Sequence, residues 1–98
     1  RSALRAQAWE LVGLARIEQD PAGARRAFLD ALLAWGTAEE SVAQRATLTY
    51  NLAVLEQTGD PAALRVRLGE ASALAAQAGD DALRDEVQEW LKQLETEQ

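Results

Sequence analysis

Apolar residues along this 98-residue chain recur at intervals of three and four, and the pattern is broken at four places by Gly or Asp-Pro, which predicts five helices. The first runs from about Leu4 to Glu18, with Ser2 placed to cap it. Asp20 caps the second and Pro21 opens it, since a fixed φ and a missing N–H do no harm at a first helical position. Gly36 ends that helix near Trp35. Thr37 and Glu40 have the spacing of a capping box and open a third helix that reaches about Gln57. After Thr58-Gly59, Asp60-Pro61 repeats the cap-and-proline start for a fourth, which stops near Ala78 at Gly79. Asp80 or Asp81 then begins the fifth.

The faces of these helices differ. Leu4, Ala8, Leu11, Val12, Leu14 and Ala15 form the main stripe of the first. The third carries Leu48, Leu52 and Leu55 on one side, Val42, Ala46 and Ala53 further round, and Tyr50 and Val54 beyond. So wide an arc predicts a central helix packed on two sides. The fifth has one narrow apolar stripe, Leu83, Val87, Trp90, Leu91 and Leu94, with charge over the rest, as expected of the cap that ends a helical array.

The chain also repeats itself. Leu14-Ala15-Arg16-Ile17-Glu18-Gln19-Asp20-Pro21-Ala22 returns as Leu52-Ala53-Val54-Leu55-Glu56-Gln57, two inserted residues, and Asp60-Pro61-Ala62. Ala24, Phe28 and Ala31 are then matched by Leu64, Leu68 and Ala71, and forty residues separate the two Asp-Pro pairs, a period typical of helical arrays. Tyr50-Asn51-Leu52-Ala53, Gly59-Asp60 and the Leu64, Leu68, Ala71 series resemble the tetratricopeptide repeat (TPR). The longer period resembles the repeats that lie behind the ATPase modules of large bacterial transcription regulators. The resemblance implies an all-α, right-handed α-α superhelix of two antiparallel helix pairs, residues 1–36 and 37–79, closed by a capping helix over 80–98. It also implies that the first helix of each pair lines a concave groove.

Composition narrows the chemistry. Ala and Leu dominate a chain that is 48% hydrophobic, and neither Cys nor His is present, which removes disulfides, thiolate metal sites and the commonest general base at neutral pH. Ser2, Ser41 and Ser72 have no His to activate them, and no glycine-rich phosphate loop occurs. Glu39 and Glu40 suit a helix start, as do Asp80, Asp81, Asp85 and Glu86, with no loop of calcium-binding spacing around them. Lys92 lies within reach of Glu89 on a solvated side. The expectation is a protein that is no enzyme and needs no cofactor or metal.

The net charge of −6 is uneven: residues 1–50 carry six bases and six acids, residues 51–98 four and ten. An acidic half repels phosphate backbones, so no direct nucleic-acid partner is expected. No apolar run nears the ~20 residues that span a bilayer, so neither is a membrane, and a cytoplasmic location is the expectation. The absence of Met points to a piece of a longer polypeptide, and the bias to Arg, Ala and Leu to a bacterial source.

The expected partner is a protein or peptide. Gln44, Thr47 and Asn51, continued by Thr58, fall on one uncharged strip of the third helix, bordered by Tyr50 and Val54; amide and hydroxyl groups there could pair with a bound backbone. Trp9, beside Arg5 and Arg16 and off the main stripe, suits either an interface anchor or contact with a preceding repeat. Trp35 and Trp90 read as fillers, and Arg25, Arg26, Arg65 and Arg67 as solvated outer faces. The function expected is a protein-interaction module within a larger regulatory or scaffolding protein. Homodimerisation through Trp9 and the first helix is the alternative, and a small-ligand-binding bundle is a third reading.

Overall fold

A computed structural model describes residues 2–97, and all of the regular structure there is helical. The elements are α1 (Ser2–Arg16), α2 (Pro21–Trp35), α3 (Val42–Leu55), α4 (Pro61–Ala78) and α5 (Asp81–Thr96), with a short 3-10 turn, Glu39–Ser41, ahead of α3. Each helix packs against its neighbours in the chain, α1 on α2, α2 on α3, α3 on α4 and α4 on α5. The Cα atoms fill a slab of 43 × 32 × 18 Å. Its thin dimension is about two helix diameters.

Local chemistry explains most of the boundaries. Asp20 accepts from the Gly23 N–H at 3.0 Å and Asp60 from the Ala62 N–H at 3.1 Å, each with Pro at the first helical position. Asp80 accepts from the Leu83 N–H at 3.1 Å to open α5. Gly79 ends α4 at φ 75°, ψ 19°, with its own N–H bonded to Ala76 O and the Asp80 N–H to Ala75 O. This is the Schellman arrangement, which places a left-handed residue just past the helix and favours glycine there.

Two apolar clusters meet on α3. Leu48 and Leu52 pack with Phe28 and Ala31 of α2, flanked by Ile17, Leu29, Leu32, Trp35 and Leu55. Ala53 packs with Leu64, Leu68 and Ala71 of α4 and Val87 of α5, flanked by Tyr50, Leu83, Trp90, Leu91 and Leu94. The middle helix is therefore greasy on two sides because it has a neighbour on each, and α5 buries one stripe, centred on Val87.

Three local expectations are corrected. Thr37 and Glu40 form no capping box: Ala38 precedes the 3-10 turn without a side-chain cap, and its carbonyl is instead taken by Ser41 Oγ at 2.8 Å and Arg45 Nη2 at 2.8 Å. Arg45 Nε also donates to Ser41 Oγ at 3.0 Å, so Ser41 and Arg45 organise this start and α3 itself begins only at Val42. Ser2 lies within α1 and does not precede it.

The third correction concerns α1. It buries Ala6 and Gly13 and leaves Leu4, Leu11 and Leu14 exposed at 72%, 68% and 48%. The reason is steric: a Cβ at position 13 would come within 2.6 Å of the Phe28 ring, so α2 supplies the bulk and α1 the gap. Small residues rather than large ones mark the contacting face, and Ala8 and Ala15 go out to the surface with the leucines.

Candidate functional site

The solvent side of α3 is positioned by the burial of its other two sides. Gln44 and Thr47 are exposed, Asn51 is half-buried and Val54 is 36% exposed, so the uncharged strip of the sequence pattern faces out along the helix. Thr47 Oγ1 donates to Ala43 O at 3.3 Å, a bond that leaves the oxygen free to accept from a partner. Thr58 lies past the end of α3 in the turn toward α4.

Tyr50 stands at the border of this strip. Its ring meets that of Trp90 edge to face, centroids 6.1 Å apart and planes at 77°. The two rings line an open hollow of about 320 Å³ together with Glu86, Glu89 and Gln93 of α5. Burial raises the Tyr50 phenol above its usual pKa, and the nearby Glu86 carboxylate, whose negative charge disfavours a phenolate, pushes the same way. The phenol is therefore a neutral donor at pH 7.

Trp9 and Arg16 lie apart, on α1. Trp9 is 37% exposed and Arg16 is exposed as well. A separate depression on the same helix, lined by Gln7, Glu10, Leu11 and Leu14, includes neither of them. Another, on α2 and the turn after it, is lined by Leu29, Leu32, Leu33, Gly36 and Thr37.

Two groups escaped the reading of the sequence. Glu86 and Glu89 were assigned to the charged side of α5 and Trp90 to its core, and Gln93 was given no role, yet together they wall the hollow beside Tyr50. The available signal was an aromatic bracketed by polar residues four before, one before and three after it. Arg25 and Arg67, assigned to solvated faces, both engage Glu56. Arg67 Nε donates to Oε1 at 2.8 Å, Arg67 Nη2 to Oε2 at 3.1 Å and Arg25 Nε to Oε2 at 2.8 Å. The Arg67 hydrogen bond, assisted by Arg25, holds the Glu56 carboxyl below its usual pKa against the opposing effect of burial. Each of these pairs is long-range in sequence or split between helices, which no periodicity reveals.

The described residues contain no group of three or more acids, Cys or His that could hold a metal ion, and no helix long and apolar enough to cross a membrane. Comparison with known proteins returns no matching family model, no matching curated protein and no matching solved structure.

Proposed function

We propose that this chain is a protein-interaction module: a TPR-like, right-handed array of two antiparallel helix pairs closed by α5, which offers the outer strip of α3 to a peptide or helix of a partner within a larger regulatory or scaffolding protein. The observation that carries this reading is that α3 inserts side chains into both apolar clusters while Gln44, Thr47 and Asn51 stay outside. A helix fixed on two sides presents its third as a rigid surface, so little ordering energy is lost on this side when a segment docks. The strip is polar yet uncharged, which suits hydrogen bonding to a backbone.

The test is selection of random dodecapeptides on the immobilised chain, followed by affinity measurement on variants. Binding should fall about fivefold or more on Asn51→Ala and hold on Trp9→Ala. Peptides that lose affinity on Trp9→Ala and not on Asn51→Ala would place the interaction on α1 and remove the groove.

A second reading has its own observation. Leu4, Leu11 and Leu14 leave a broad apolar face of α1 uncovered. Faces of this kind mark interaction sites more often than bare surface. Homodimerisation across α1 predicts a dimer mass in sedimentation that reverts to a monomer on Leu11→Asp, without loss of helicity; a monomer at high micromolar concentration excludes it.

A further inference from the structure

We infer that the hollow between α3 and α5 receives one Lys or Arg side chain from a basic segment of a partner protein, the segment itself running along the α3 strip. This deepens the groove reading and rests on it. Tyr50 joins the two places, because it borders Asn51 and Thr47 on its own helix and walls the hollow with Trp90.

The hollow has the parts that such a side chain needs. Two rings set at 77° give adjoining aromatic walls against which an alkyl stem can lie, and ring faces attract a cation. Glu86 and Glu89 stand exposed at the rim, and among the described residues neither is held in an ion pair. Gln93 adds an amide acceptor. An open hollow of about 320 Å³ has room for one long side chain.

Other classes of side chain fit worse. A carboxylate would meet two like charges. An apolar group would strip water from Glu86 and Glu89 and return nothing for it. The competing cations nearby are few: Arg84 is engaged by Asp81 and Asp85, and Lys92 sits one turn from Glu89 on α5 without joining it in an ion pair among the described residues. With ten acids against four bases in residues 51–98, the field over this end of the molecule is negative and favours the approach of a cation. Since Gln44, Thr47 and Asn51 carry no charge, the hollow is what would make the groove selective for a basic sequence.

The dodecapeptide selection described above tests this directly, read with two charge-matched double variants of α5. Glu86→Gln with Glu89→Gln removes the rim charges, whereas Glu95→Gln with Glu97→Gln removes the same charge at the C-terminal end of that helix, where neither acid is in an ion pair among the described residues; all four positions are exposed, so the fold is retained. The selected peptides should carry Lys or Arg, bind about tenfold more weakly to the rim variant and change less than about twofold on the control. Equal weakening by both variants would show attraction to net charge alone and overturn the inference. Selected peptides without a basic residue, weakened by Asn51→Ala and indifferent to the rim variant, would overturn it while leaving the groove intact. An empty selection would remove both.

Discussion

Glu56 and Arg67 pair through two hydrogen bonds, 2.8 and 3.1 Å, and the same carboxylate receives Arg25 from α2 at 2.8 Å. One side chain at the end of α3 thus ties α2 to α4, the neighbours on its two sides. The carboxylate is 18% exposed and Arg67 21%, so both are largely shielded from water, while Arg25 at 46% contributes less.

Removing this charge should cost stability in a pH-dependent way. Glu56→Gln is expected to lower the unfolding free energy by about 1–2 kcal/mol at pH 7, read from urea denaturation. Because the folded pKa lies below the usual 4.5, the stabilisation is fully present above that value and fades as pH falls through the folded one. The gap between the native chain and the variant should therefore close in acid. A gap that stayed constant from pH 7 to pH 2 would mean the ion pairs contribute nothing.

Gly13 should resist even a methyl group. A Cβ there would lie 2.6 and 2.8 Å from two carbons of the Phe28 ring, itself fully buried. Gly13→Ala gains about 1 kcal/mol of helix propensity, yet the clash should outweigh it and leave a net loss of about 1–2 kcal/mol. Gly13→Ala with Phe28→Leu should recover part of that loss, since the substitutions share one contact. Stabilisation by the single change would show that α1 does not approach α2 this closely.

Two glycines of α4 and its end should behave oppositely. Gly79 sits at φ 75°, and Gly79→Ala is expected to cost about 1 kcal/mol although space around it is open. Gly69 lies inside α4 with nothing within 4 Å of an added Cβ, so Gly69→Ala should stabilise by up to about 1 kcal/mol. Thermal melts of the two variants should move in opposite directions.

The starts of α2, α4 and α5 were legible in the sequence because Asp20, Asp60 and Asp80 cap within three residues of themselves, and a local rule reads a local bond. The central place of α3 was legible in its wide apolar arc, since a helix with two neighbours needs two greasy sides. The burial of α1 was not: large residues dominate any count of hydrophobicity, whereas contact with Phe28 needed the small side of the helix. Thr37 misled for a related reason, because its spacing fits a cap that Ser41 and Arg45 fill by reaching back to Ala38. Of the site, the α3 strip followed from periodicity, but the hollow did not. Tyr50 and Trp90 are brought together by the packing of α3, α4 and α5, and no spacing along the chain announces that.

Amide chemical-shift mapping of a selected dodecapeptide on the isotopically labelled chain tests the central claim most directly. Use of α3 as the docking surface predicts perturbations concentrated on Gln44, Thr47, Tyr50, Asn51 and Val54, spreading to Glu86, Glu89 and Gln93 of α5. Perturbations gathered instead on Leu4, Leu11 and Leu14 of α1, with α3 unmoved, would contradict it.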